Sequence, residues 1–319
     1  MNTLCRLGSA CLVTLALGAA APLAVAQDTA DKGTIAILVN SLDNPYYAAE
    51  AHAADAKARE LGYQTLIQSH NEDVNRQREL ISLAVGRGVK GIVLDNADSS
   101  ASGAAVQYAK DQGVPTVLIN REIPQDGVAL AQLTHNNVQA ASQVAQAFVE
   151  RMGEQGEYVE LTCNLADNNC VTRSEAFHQV LDQYPEMTMV ARQDAKGVLL
   201  NAKQSMDSIL QEHPNVRGVI AGNGPVALGA IASLQAARRD QVVVAGIDGS
   251  NDERDAVRAG HLYATAMLQA QRLASDGVVV LDAHLAGADE GGPERRLYRG
   301  ILITEDNAGR VKDFSYSDE

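Results

Sequence analysis

From Thr34 onward the chain alternates short apolar runs with longer segments in which apolar residues recur at helical spacing. Short β-prone runs bounded by polar or turn residues read as buried strands, and the longer amphipathic stretches as helices. This predicts strands at Ile35–Val39, Thr65–Gln68, Gly91–Leu94, Thr116–Ile119 and Ala131–Leu133. Between them fall helices Pro45–Leu61, Val74–Arg87 and Ser102–Gln112. Gly62, Gly88 and Gly113 each follow a helix end, where a left-handed cap costs glycine least. The rhythm restarts after Asn136, with helices Gln139–Met152, Val171–Gln183, Leu199–Glu212 and Pro225–Ala236. Strands Tyr158–Leu161, Thr188–Gln193, Gly218–Ala221 and Val242–Ile247 alternate with them. A short helix Asp252–Ala259, a strand Leu262–Met267, helix Ala270–Leu285 and strand Arg296–Ile303 complete the pattern.

Strands alternating with helices demand parallel sheets and right-handed crossovers. The expected fold is α/β, with two Rossmann-like lobes joined by a hinge of several strands. The first set of elements is one helix short of a covered sheet, and the last helix is available to fill that place. Chain crossings are therefore expected near Thr134, Leu268 and Thr304. They divide the chain into an N-terminal lobe, 33–134 plus 268–303, and a C-terminal lobe, 135–267 plus 304–319. Such a multi-segment connection is suited to hinge closure.

The first residues stand outside this pattern. Met1 to Ala26 carry a lone Arg6, an apolar stretch from Cys11 to Leu23, and Ala24-Val25-Ala26 before Gln27. This has the layout of a cleaved secretory signal peptide, residues 1–26, and implies export to the periplasm. The stretch is short and interrupted by Gly18 and Pro22, which disfavours a membrane anchor. A formal net charge of -14 disfavours binding to a nucleic-acid backbone. Cys5 and Cys11 belong to the leader, so the remainder has only Cys163 and Cys170. An even pair in an oxidising compartment favours a disulfide over two free thiols. With no histidine at ligand spacing, a metal is disfavoured further.

No phosphate-binding loop, nucleophile elbow or metalloprotease motif is present. What recurs is a polar residue at the carboxyl end of each apolar strand: Asn40, Asn120-Arg121, Asn223 and Asp248. Ligands of open α/β sheets bind at such ends. Amides, carboxylates and guanidinium groups make paired hydrogen bonds to adjacent hydroxyls. Tyr46 and Tyr47, in the loop Asn44-Pro45-Tyr46-Tyr47, offer rings to the C–H face of a sugar. The set suits a neutral polyhydroxylated molecule better than it suits a reaction, so no enzyme activity, cofactor or metal is expected.

With Ile35-Ala-Ile-Leu-Val, Asn44-Pro45-Tyr46-Tyr47, Asn120-Arg121, Arg173-Ser-Glu-Ala-Phe177, Asn223 with Ala227-Leu-Gly-Ala230, and Val244-Ala-Gly-Ile-Asp-Gly249, the chain resembles a known family. These segments are similar to those of periplasmic sugar-binding proteins of ABC transporters, of the ribose-binding kind (type I). The resemblance spans Thr34 to about Ile303. It implies that Asn44, Tyr46, Tyr47, Asn120 and Arg121 line a site from the N-terminal lobe. Arg173, Asn223 and Asp248 would meet the ligand from the C-terminal lobe. Asn40 stands where the family has a small hydroxyl residue and is expected to reach the ligand. At Leu268 the family's glutamine is replaced, with Gln269 adjacent as its substitute.

Other departures bear on the ligand. Asn120 replaces an aspartate, and Tyr46 and Tyr47 replace phenylalanines. Near Gly197 the family presents an aromatic ring, and this chain has none there. The altered set fits ribose, another pentose, or a tetritol or pentitol. The family also implies an inner-membrane ABC permease as partner, a monomer, and a chemoreceptor as a further partner. A sugar-acid receptor is the alternative that two arginines raise. An intracellular sugar-responsive repressor is disfavoured by the leader, and a sugar-modifying enzyme by the lack of paired carboxylates at the cleft.

Overall fold

The computed structural model describes residues 31–288 and 292–317. The leader read over residues 1–26 lies outside them. Two six-stranded sheets organise the described chain. The first contains β1 (Thr34–Val39), β2 (Gln64–Ser69), β3 (Gly91–Leu94), β4 (Thr116–Asn120), β5 (Ala131–His135) and β11 (Arg295–Tyr298). Its order is β11-β5-β4-β3-β1-β2, and every pairing is parallel. The second contains β6 (Gly156–Thr162), β7 (Met187–Asp194), β8 (Gly218–Ala221), β9 (Val243–Asp248), β10 (Ala264–Met267) and β12 (Ile301–Ile303). Its order, β12-β10-β9-β8-β6-β7, repeats the first. Here the edge strand β12 runs antiparallel to β10, a departure from the all-parallel expectation.

Both faces of each sheet are covered, which is why the central strands are continuously apolar rather than alternating. Ile35, Ile37 and Val39 pack with Ala51, Ala54 and Ala58 of α1 (Pro45–Glu60) and with Leu273 and Leu281 of α9 (Ala270–Leu285). On the other face, Ala36 and Leu38 meet Leu80 of α2 (Val74–Gly86) and Val106 of α3 (Gly103–Asp111). The final long helix thus supplies the cover that the first set of elements lacked. The second sheet is packed likewise, by α4 (Asn137–Met152) and α5 (Asn168–Leu181) on one face. On the other lie α6 (Leu199–Glu212) and α7 (Gly224–Ala236).

The chain crosses between sheets after β5, after β10, and between β11 and β12. The segment read as one strand over Arg296–Ile303 is two strands in different sheets, divided at Arg299-Gly300. The third crossing is therefore at these residues rather than near Thr304. Close packing favours glycine at this crossing: a Cβ on Gly300 would lie 2.8 Å from Ala140 Cβ. The crossings are tied together. Asn136 N donates to Tyr298 O at 2.8 Å, and Gln139 Nε2 to Gly300 O at 3.1 Å.

Beyond the expected elements, α8 (Asn251–Arg258) is followed near the carboxyl terminus by a hairpin of β13 (Val311–Lys312) and β14 (Ser315–Tyr316). Arg254 Nη1 of α8 donates to Val311 O at 3.2 Å and mounts this hairpin on the second lobe. Among the described residues no helix is long and apolar enough to cross a membrane.

Candidate functional site

The carboxyl ends of both sheets face one cavity of about 520 Å³. Asn44, Tyr46, Tyr47, Asn120, Arg121, Arg173, Asn223 and Asp248 all line it, eight of the ten residues proposed from sequence. Asn40 and Gln269 do not. Asn40 is completely buried at the end of β1 and outside the lining. Its backbone carbonyl is tied to the segment after β2, Asn71 N donating to Asn40 O at 2.6 Å. Gln269 Nε2 donates instead to Arg299 O at 3.0 Å, so this side chain laces two crossings of the hinge.

Helix starts set the polarity of the cavity. Asn44 caps α1, its Oδ1 accepting from Tyr46 N at 3.0 Å, and Asn223 caps α7, its Oδ1 accepting from Val226 N at 3.1 Å. Asp167 caps α5 through Asn169 N at 2.9 Å, and Ser250 caps α8 in a full capping box with Glu253. These four N-caps all line the cavity, so four helix N-termini point donors and positive dipole ends towards it. Hydroxyl oxygens are stabilised there. Pro45 and Pro225 at the first turns of α1 and α7 fix the entry of the chain without wasting an N–H.

The two arginines are held by carboxylates. Arg121, 3% exposed, lies 2.7 Å from Asp167 and 3.2 Å from Glu72. It also donates to Tyr47 Oη at 2.9 Å and, through Nη1, to Asn96 O at 3.2 Å. Its Nε alone has no hydrogen bond. Arg173 Nε donates to Asn137 Oδ1 at 2.8 Å, its Nη1 to Gly222 O at 3.1 Å, and Asp248 Oδ1 is 3.5 Å away. Burial pushes the Asp248 carboxyl up to about 6, with the Arg173 charge opposing the shift. Asp248 Oδ2 accepts from Gly224 N at 3.0 Å.

Asn120 and Asp248 end equivalent strands, β4 and β9, and both have positive φ, 64° and 125°. Such backbone costs of order 1–3 kcal/mol at a non-glycine residue and is retained where it aims a functional side chain. Tyr46 Oη meets His135 Nε2 at 2.6 Å, and burial lowers the His135 imidazole to about 3, so the ring is neutral at physiological pH.

Several lining residues went unrecognised in the sequence. Phe314, from the turn of the β13–β14 hairpin, packs edge-on against Tyr46 with ring centroids 5.5 Å apart. The hairpin thus adds an aromatic ring to a cavity that has none from the segment near Gly197. Val198 and Leu199 supply aliphatic surface beside Gly197. Asn169 bonds Asn120 O at 3.3 Å across the cleft. Asp167 and Asn169 are the ones a sequence signal could have found, since an N-capping aspartate precedes the helix carrying Arg173.

Cys163 and Cys170 form a disulfide, with Cα atoms 5.6 Å apart, and both line the cavity. The helix expected to begin at Val171 begins at Asn168. Cys170 is therefore inside its first turn, one turn before Arg173, rather than ahead of it. Among the described residues no group of three His, Cys, Asp or Glu is placed to hold a metal ion.

The chain matches the periplasmic binding protein domain over residues 35–289. It is 47% identical over 289 residues to the D-apiose import binding protein of Actinobacillus succinogenes, covering 90% of this chain and 93% of that protein. It is 29% identical over 277 residues to the ribose import binding protein of Escherichia coli, covering 86% and 93%. Among solved structures it resembles an ABC transporter periplasmic solute-binding protein of A. succinogenes with bound D-allose, at 19% identity. That likeness has a TM-score of 0.83 and covers 88% of this chain and 100% of the other. The chain therefore belongs to the periplasmic binding protein domain family, and it is a solute-binding protein of the sugar-import kind, not an enzyme.

Proposed function

We propose that this protein captures D-apiose, a branched neutral pentose, and delivers it to an ABC permease. The observation that carries the neutral-sugar reading is that every cation lining the cavity already has a carboxylate partner. Arg121 has Asp167 and Glu72, Arg173 has Asp248, and Lys196 has Asp194. A sugar acid would bring one more negative charge into a cavity also lined by Asp43 and Asp252. Like charges at a desolvated site cost several kcal/mol, so the sugar-acid alternative is disfavoured.

Among neutral sugars, similarity favours D-apiose. The relative named for it is 47% identical, against 29% for the relative named for ribose. D-Apiose carries a hydroxyl and a hydroxymethyl on one ring carbon, which concentrates oxygen atoms at one end of a furanose. The converging helix starts, with Arg121 and Asp248 beside them, suit that end. Tyr46 and Phe314 suit the less polar one. The protein acts as a periplasmic monomer released by cleavage of residues 1–26, with Asn44, Tyr46, Tyr47, Asn120, Arg121, Arg173, Asn223 and Asp248 holding the ligand. A chemoreceptor reading the closed form is compatible with this role.

A thermal-shift panel of D-apiose, D-ribose, xylitol, erythritol and aldonates tests the class. A ligand far above its dissociation constant raises the melting temperature. Neutral sugars are expected to raise it and aldonates to leave it unchanged. A shift with aldonates alone would overturn the reading.

A further inference from the structure

Behind the first-lobe wall lies a pair of acids that the binding site as described does not use. Glu50, on α1, is completely buried and has no cation in ion-pair contact among the described residues. Its carboxyl interacts with that of Asp95, which follows β3 and is also completely buried, and both Glu50 oxygens, like Asp95 Oδ1, receive no N–H or O–H from the described residues. Two carboxyl groups in such contact must share a proton, because both cannot ionise in a buried site. Asp95 Oδ1 receives no N–H or O–H from the described residues, so it is the oxygen free to accept the Glu50 proton. Asp95 Oδ2 accepts from Asn120 Nδ2 at 3.0 Å.

That last bond decides which way the Asn120 amide faces. With Nδ2 committed to Asp95, Oδ1 lies on the side approached by Tyr46 Oη at 3.5 Å and Asn169 Nδ2 at 3.3 Å, both on cavity-lining residues. We propose that Glu50 and Asp95 form a one-proton carboxyl pair whose function is to lock the Asn120 amide. The cavity then presents a carbonyl oxygen, an acceptor only, to one hydroxyl of the bound sugar. This rests on the neutral-sugar reading of the site. A locked acceptor makes the ligand group a proton donor, so it selects a hydroxyl over a ring oxygen or an ether. A site built around such a bond rejects analogues lacking the proton far more strongly than a site shaped by apolar contact. Asp95 and Glu50 are positioning residues, acting through Asn120 without touching the sugar.

The pair is enclosed by few other charges. Tyr46 lies on the same helix as Glu50, and Arg121 follows Asn120. His70 Nε2, after β2, bonds the Asp95 carbonyl oxygen at 2.7 Å, and Asp167 faces the pair from the other lobe. Arg121, already paired with Asp167 and Glu72, is the cation whose charge reaches the pair. Burial lowers the His70 imidazole, so it adds no charge at neutral pH.

Calorimetric titration of the wild type and four variants tests the proposal, using whichever neutral sugar binds the wild type. Glu50→Gln keeps a donor towards Asp95 and is expected to hold affinity within about threefold. Asp95→Asn frees the Asn120 amide to turn, and Asn120→Asp alone crowds a third carboxyl against the pair. Each is expected to weaken binding by about tenfold or more, as loss of a buried hydrogen bond does. Combining Asp95→Asn with Asn120→Asp restores a donor at 95 and an acceptor at 120, and is expected to recover to within about threefold of the wild type. A merely structural role would make the two losses add. Infrared spectroscopy at neutral pH supplies a readout that needs no ligand. The wild type should show protonated carboxyl absorption, part of which is lost in Glu50→Gln while the part from Glu253 remains. Additive losses, unchanged affinity in Asp95→Asn, or no loss of this absorption in Glu50→Gln would overturn the proposal. A wild type that binds only aldonates would overturn the functional reading instead.

Discussion

Phe314 is the residue on which the ring-gripping side of the cavity depends. It is 4% exposed, stands at a left-handed φ of 58° in the hairpin turn, and closes edge-on against Tyr46. Aromatic pairs of this geometry add about 0.5–1.5 kcal/mol beyond the area they bury. Phe314→Ala is therefore expected to weaken sugar binding about tenfold in calorimetry, while Phe314→Tyr, which keeps the ring, should lose much less. Equal losses in both would mean that the ring face is not in contact with ligand. Asp248 poses the complementary test. It accepts from Gly224 N and faces Arg173, so Asp248→Asn leaves a buried guanidinium without its counter-charge. That loss costs about 2–5 kcal/mol and should all but abolish binding in the same titration.

At the scale of elements, helix starts and strand ends do the positioning. Glu253 sits in the capping box of α8, with Oε2 accepting from Ser250 N at 2.8 Å and Oε1 from Thr265 Oγ1 at 2.7 Å. Burial, aided by Asp248, pushes its carboxyl up to about 8. A folded value above the unfolded one means that the contribution to stability is full below the unfolded value and is lost as pH rises through about 8. The melting temperature is expected to fall from about pH 5 to about pH 8.5 in the wild type, and less steeply in Glu253→Gln. Equal slopes would contradict this. The disulfide is a second such device. It closes a short loop, worth about 2.5 kcal/mol in the chain-entropy model, and staples the first turn of α5 one turn before Arg173. Replacing Cys163 and Cys170 with alanine should lower the melting temperature and weaken binding, and unchanged affinity would detach the disulfide from the site.

The element pattern was legible because its causes are local. Apolar runs, helical spacing and the glycines at 62, 88 and 113, all with positive φ, mark strands and helix ends directly. Strand-end residues were legible for the same reason, since Asn120 and Asp248 each fall at the carboxyl end of an apolar strand of their own sheet. Contributions fixed by tertiary packing were not. Phe314 lies in a two-residue-stranded hairpin too short for any period to register. Asn40 continues a strand in sequence but is completely buried outside the cavity lining, and Gln269 is captured by a carbonyl thirty residues on. The split at Arg299-Gly300 is invisible to hydropathy, because both halves of the segment are strands.

As a whole molecule, the protein is held closed by polar contacts across the cleft. Besides Arg121–Asp167 at 2.7 Å, Ser99 Oγ bonds Asn168 Oδ1 at 2.9 Å and Asn164 Nδ2 bonds Glu72 Oε2 at 3.2 Å. Tyr46, from the first lobe, is packed among Ala140, Leu268 and Phe314, part of the second lobe's core cluster. Closure is a population shift, and a sugar that touches both lobes drives it by its differential affinity for the closed state. Asp167→Asn removes the charge from the shortest of these contacts. It is expected to enlarge the radius of gyration in solution scattering without sugar and to weaken binding by about tenfold, the reduced closed population appearing directly in the apparent affinity. A variant as compact as the wild type would contradict that role.

Selection between two neutral pentoses bears most directly on the central claim. Titration of the wild-type protein with D-apiose, followed by displacement with D-ribose, measures it in one experiment. One site is expected to take D-apiose at least about tenfold more tightly than D-ribose, a difference of about 1.4 kcal/mol. Equal or tighter binding of D-ribose, or heat only with a sugar acid, would contradict it.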